Sequence, residues 1–502
     1  MDELKQDTRT EAVALSLANI DRLPEGIARP SYKRADLRPG IVHIGLGNFH
    51  RGHQAWYLHR LMQKGLAQDW AIIGAGVRPG DAQMRDKLLA QDCLTTLIEL
   101  DPSGSSAEVT GSMIDFVPVA EDNGPLIAIM SDPAIRIISL TVTEGGYYLN
   151  SAGALDLSHP DIQHDVAHPD TPRTAFGAMI AALRNRRNAG HAPFTGQSCD
   201  NLQGNGTILR QTVVGLARAS DPDLAEWINR QASFPNSMVD CIVPATGPAE
   251  LERARAFGVM DAVPVTHENY RQWVIEDDFC AGRPPWEEVG ATLTQDVHSY
   301  EAMKIRMLNA GHQVLANAGE ILGCPTIASC MTDPDIAAFF RKVQIDEIAP
   351  HVDAVPGMTP FSYLDLIEGR FANPEIRDTT RRVAFDGSSR HSGFVLPILR
   401  DALKAGTSIS GLALTEALWA RMCEGSREDG SQIDANDPMW SDLQIAARAA
   451  KTSPRVWLEQ AQIYGDLSEQ STFAEMFSDW LSLIWTDGTR TALRNYASPI
   501  AD

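Results

Sequence analysis

Cysteine, positive charge and long apolar runs are all scarce in this chain. The seven cysteines (Cys93, Cys199, Cys241, Cys280, Cys324, Cys330 and Cys423) are scattered and odd in number. The closest two, Cys324 and Cys330, have no matching second pair, which argues against a disulfide framework and against a structural zinc site. A reducing cytoplasm suits such a chain. Lysine and arginine number 43 against 65 acidic residues, leaving a formal charge of −22. A phosphate backbone needs a basic footprint, so nucleic acid is not an expected partner. No apolar run approaches the roughly 18 residues that cross a bilayer. The N-terminal MDELKQDTRTEAVALSLANI is charged at once and lacks a signal-peptide core, so no membrane association is expected. No exposed heptad seam marks an obligate assembly, and the expectation is a monomer or weak oligomer.

What remains is the composition of a globular protein, in a chain of 502 residues that is too long for one core. After a charged arm, residues 1–36, expected to pack on the first domain, the run Ile41-Val-His-Ile-Gly is short, β-branched and stopped by glycine. It reads as a buried strand. HQAWYLHRLMQKGLAQ follows, with Ala55, Leu58, Leu61 and Met62 at helical spacing. WAIIGAGV (70–77) and IRIISLTVTE (135–144) read as further buried strands. Strand, helix and strand with short connections make a βαβ unit and a parallel sheet. From about 297 onward long helical stretches dominate. The fold class expected is α/β: a Rossmann-type domain over 37–295 and a mainly α-helical domain over 296–502.

The first strand ends in GLGNFHRGH. Gly45 and Gly47 suit a turn where backbone approaches a pyrophosphate, but the third glycine position is His50. Spacing leaves a cofactor loop and a tight strand–helix turn both open. Arg51 could add a cation beside the phosphates or simply sit on the surface. After the second strand, Asp81 could accept from ribose hydroxyls and repel a 2′-phosphate, favouring NAD, or could cap the next helix. Arg78 nearby keeps NADP open as the lesser option.

Residues 301–312, EAMKIRMLNAGH, carry Glu301, Lys304, Asn309 and His312 among Met303, Ile305, Met307 and Leu308. At about 100° per residue the four polar groups fall within one arc of about 140°, with Lys304 and Asn309 at its two edges. A solvated helix face could do the same. The apolar neighbours favour a site instead, where burial would disfavour the ammonium form and make Lys304 usable as a base. Cys199 and Cys241 read as small buried hydrophobes, and Trp273, Trp286 and Phe279 as core.

The chain resembles the polyol-specific long-chain dehydrogenase/reductase family, which includes mannitol 2-dehydrogenases and fructuronate reductases. The stretches that carry the resemblance are IVHIGLGNFHRGHQAWY, SLTVTEGGY, SCDNLQGNG, FPNSMVD, RQWVIEDDFCAGRPPWEEVG, KIRMLNAGH, RFANPEIRDTTRRVAFDGSSR and DPMWSDL. The resemblance implies zinc-independent, NAD(P)-linked oxidation of a secondary alcohol, with a polyol or hexuronate substrate and no bound metal. It implies Lys304 as general base, Asn309 and Asn201 as two amide donors to one developing oxyanion, and Glu301 as the group passing the proton to water. Asp240, His312 and Arg382 would bind substrate. So would Arg390, where mannitol enzymes typically show lysine, which puts substrate choice between mannitol and fructuronate in question. Glu144 would lie on a loop near the nicotinamide.

Overall fold

The computed structural model describes residues 12–150 and 153–498. They form two compact units that divide between His298 and Ser299. Unit 1 is built on a five-stranded, all-parallel sheet of β1 (Pro39–Ile44), β2 (Ala71–Ala75), β3 (Met113–Phe116), β4 (Ile137–Leu140) and β5 (Thr195–Ser198). Their spatial order is β3-β2-β1-β4-β5. The chain winds outward from β1 in one direction, then returns to its other side. β1 and β4 are therefore the neighbours at which the winding reverses, the place where open α/β sheets bind ligands beyond their strand ends.

Period-two alternation splits these strands between two cores. Val42, Ile44, Ile73, Ile138 and Leu140 join Met130, Phe176, Met179, Leu183 and Val213 on one face. Ile41, Ile72 and Ile137 join Leu58, Leu61, Met62, Trp273 and Trp286 on the other. Burial on both faces explains why β1 and β2 read as continuous apolar runs and not as alternating ones. The arm touches this unit through Val13 and Ala14, which pair with Val259 and Met260, and through Arg34, which donates to the Met113 carbonyl at 2.8 Å.

Unit 2 is helical. Its core helix, Ser410–Cys423, buries every residue after the first. The helix Ala310–Leu322 packs on it. Three π-helical turns interrupt the helices: Lys304–Asn309, Gln344–Ile348 and His391–Val395. The first packs against both of the others. Glu416, fully buried, accepts from His391 Nδ1 at 2.7 Å and from the Tyr464 hydroxyl at 2.7 Å, and Asn317 meets the other ring nitrogen of His391 at 3.0 Å. That network anchors the turn next to Arg390. No helix among the described residues is long and apolar enough to cross a membrane.

Candidate active site

In unit 1 the loop after β1 lies at the winding reversal. Gly45 has φ +89°, and a Cβ there would come within 2.2 Å of the Thr141 carbonyl oxygen, so glycine is obligatory. Gly47 is different: a Cβ would meet nothing nearer than 4.0 Å. Its bareness leaves open backbone, which suits close approach by a pyrophosphate. His50, at the position of the missing third glycine, is buried and stacks on His43 with ring centroids 3.4 Å apart.

Arg51 differs from expectation. It is buried, and its guanidinium donates to Asn48 Oδ1 at 2.7 Å and to the carbonyls of Gly47 and Val263. Val263 is 212 residues away in sequence, so the arginine clamps the glycine loop to a distant segment.

Asp81 opens the helix Asp81–Leu89 just beyond β2 and accepts the Arg78 backbone N–H at 2.9 Å. Its carboxylate lies over Gly76, where a Cβ would be 2.5 Å from Oδ2. That bond reaches back to a residue ahead of the helix and caps none of its first-turn N–H groups, and the remaining carboxylate oxygen leaves the ribose reading open. Glu144 opens the turn Glu144–Tyr147, and its side chain lies outside the described residues. Asn201 sits exposed between β5 and the helix Asn205–Ser220, and Asp240 is buried at the end of the strand Ser237–Asp240.

Asp200 escaped sequence reasoning. Its carboxylate accepts from the Thr143 N–H at 2.8 Å, the Val142 N–H at 3.2 Å and the Tyr147 hydroxyl at 2.8 Å. Thr143 has φ +65° and ψ 167°, a region almost reserved for glycine. Asp200 thus holds a strained loop in place. The only signal in the sequence was an acid flanked by a cysteine and an asparagine.

In unit 2, Glu301 and Lys304 are 3% and 7% exposed, so the solvated-face reading of EAMKIRMLNAGH fails. The helical wheel also needs correction. Ala310 N–H bonds to Ile305 O, five residues back, so Lys304–Asn309 is a π-turn and not α-helix. An α-helix would hold Lys304 and Asn309 about 140° apart. Five-residue hydrogen bonding returns the chain to nearly the same side after five residues, so the pair shares a face. Asn309 makes no capping bond to the helix it precedes, leaving its amide for other use.

Eight residues after Lys304, His312 stacks on Phe371 at 4.3 Å, and its Nε2 is buried without a hydrogen-bond partner. Burial holds this imidazole down to about 4; Arg382, Arg370 and Arg390 push the same way and Asp378 opposes them. Asp378, in the quoted RFANPEIRD stretch but assigned no role from sequence, takes both Nε and one terminal nitrogen of Arg382 at 2.6 Å each. Arg390 donates to the Val383 carbonyl at 2.6 Å. The structure therefore gathers Asp378, Arg382 and Arg390 around His312. Among the described residues, no three His, Cys, Asp or Glu side chains are grouped to hold a metal ion.

Comparison with known proteins identifies the family of both units. Residues 39–288 match the mannitol dehydrogenase Rossmann domain and residues 296–485 the mannitol dehydrogenase C-terminal domain. A mannitol 2-dehydrogenase of Cereibacter sphaeroides is 55% identical over 474 residues, covering 94% of this chain and 99% of the relative. One from Phaeosphaeria nodorum is 38% identical, covering 97% and 87%. Among solved structures, Pseudomonas fluorescens mannitol 2-dehydrogenase in ternary complex with NAD and D-mannitol is 37% identical, with a TM-score of 0.85 over 96% of this chain and 99% of that one. A substrate-free D-sorbitol dehydrogenase is 34% identical, with a TM-score of 0.90 over 96% and 100%.

Proposed function

Because this chain belongs to the mannitol dehydrogenase family, an oxidoreductase family acting on CH–OH groups, we propose that it oxidises mannitol to fructose reversibly, with NAD and without zinc. The observation that carries the proposal is the π-turn, which sets a buried lysine and an uncommitted amide on one face. NAD supplies the hydride acceptor when bound. Gly45 and Gly47 form its backbone turn, bare at Gly47, with Glu144 assigned to the nicotinamide end by motif alone. Asp81 accepts from the ribose and disfavours NADP.

Lys304, neutral, takes the substrate hydroxyl proton and Glu301 passes it on to water. Asn309 donates to the oxygen as negative charge builds on it. Asn201 is proposed as a second donor on its SCDN motif. Asp240, His312 and Arg390 take substrate hydroxyls; His312 is suited to this by its Nε2, which makes no hydrogen bond and lies 4.0 Å from Asp378.

Arg382 is already forked onto Asp378, which weighs against a substrate carboxylate and so against fructuronate reduction. The free cysteines suit a reducing compartment such as the cytoplasm. The test is turnover by the purified full chain with NADH and either fructose or fructuronate, and with NAD and mannitol, D-arabinitol or sorbitol. Fructose and mannitol should be the better pair. Reduction of fructuronate with none of fructose would overturn the assignment.

A further inference from the structure

We propose that Gln344 is a positioning residue for the reaction: its side-chain amide latches the π-turn that keeps Lys304 and Asn309 on one face. The proposal rests on the roles given to those two residues above.

A single π-turn is a rare interruption of an α-helix and concentrates where function requires it. The sequence KIRMLN contains no proline or glycine to force one, so the fold around it must hold it. Gln344 is fully buried in the apolar stripe of its helix. Its Nε2 donates to the Met307 carbonyl, inside the π-turn, at 2.7 Å. A carbonyl can only accept, so this contact fixes which end of the amide faces the turn.

Gln344 also opens the second π-turn, whose closing bond runs from Ala349 N–H to the Gln344 carbonyl. One residue therefore ties two π-turns together, by its side chain to the first and by its backbone in the second. Gly311 makes room for the latch. A Cβ there would lie 2.5 Å from Gln344 Nε2 and 3.0 Å from Phe340 Cε2. The glycine in LNAGH thus has a physical reason, two residues from Asn309. Without the latch the Met307 carbonyl loses a buried donor, and the turn is freer to relax towards α-helical spacing. That relaxation would swing Lys304 and Asn309 apart around the helix axis.

A glutamine that only fills core would change melting and leave chemistry alone. The two cases separate in steady-state kinetics of the full chain with NAD and mannitol, using Gln344→Met, which keeps length and removes the donor. Gly311→Ala reaches the same latch by crowding it, and decides the matter should Gln344→Met fail to fold. Misplacement of this kind should lower kcat by roughly 10–100-fold. The KM for mannitol and the Kd for NADH should stay within about threefold, since contacts made equally in ground and transition states are retained. Wild-type kcat in folded Gln344→Met or Gly311→Ala, with or without a lowered Tm, overturns the latch. Lys304→Ala, measured alongside, keeps the two ideas apart. If it retains turnover, the base assignment falls. If it is crippled while both latch variants turn over normally, only the latch falls.

Discussion

Lowering the pH from 7 to 5.5 should weaken unit 1 far more than any one group could. His43, His50, His59 and His267 are all buried there. Burial holds His43, His59 and His267 down to about 3, and holds His50 well below its ordinary value. Cations push the same way, Arg51 on His50, Arg60 on His59 and Arg271 on His267. Ser139 and Thr141 hydroxyls meet the two His43 nitrogens at 2.8 and 2.9 Å, and Tyr32 meets His59 at 2.7 Å.

The folded rings therefore stay neutral, while the unfolded chain binds a proton on each below about pH 6.5. The unfolded state then holds more protons, so stability falls as pH drops from about 6.5 towards about 3. Between pH 7 and 5.5 each ring contributes a loss of about 1.2 kcal/mol, and four together about 5 kcal/mol. That rivals the whole stability of many domains. Urea unfolding across this range should show the loss. Calorimetry in buffers of different ionisation enthalpy should show uptake of about four protons on unfolding of unit 1 at pH 5.5, with His312 adding about one more when unit 2 unfolds. His50→Phe, which keeps an aromatic ring on His43, should remove about one of them. Unchanged unfolding energy with no proton uptake would refute the reasoning.

Lys304→Ala should lose on the order of 10²–10⁴-fold in mannitol turnover, with NAD affinity nearly unchanged by fluorescence titration. Asn309→Ala should lose roughly 10²–10³-fold in kcat with a much smaller change in KM, as expected of a donor that matters most when the oxygen carries charge. Asp81→Ala should weaken NAD binding and narrow its advantage over NADP in direct titrations. Equal affinities before and after that substitution would mean that another acid holds the ribose.

The architecture of unit 1 was legible because burial on both faces of a parallel sheet leaves unbroken apolar runs such as IVHI and WAIIGAGV. The long helix around Lys304 was legible from its apolar stripe, but the π-turn inside it was not. The same residues serve α and π backbones, and one extra residue per turn leaves no mark on a short pattern. The burial of Arg51 could not be read because its partner, the Val263 carbonyl, is remote in sequence. Gln344 was unreadable for the same reason, and Asp378 because its place beside His312 is made only by the fold. Each matters through a side chain or carbonyl that only the folded chain brings near.

The two glycines of the first loop answer to different masters. Gly45 is demanded by the chain itself, through its backbone angle and the Thr141 carbonyl pressed against it. Nothing in the protein crowds Gly47. Among descendants of a duplicated gene, a copy that abandoned nucleotide binding but kept its fold would preserve glycine at 45 and let 47 drift to larger residues. Retention of both would mark the lineages still under selection for the cofactor. The pair is thus a record of loss that can be read without an assay.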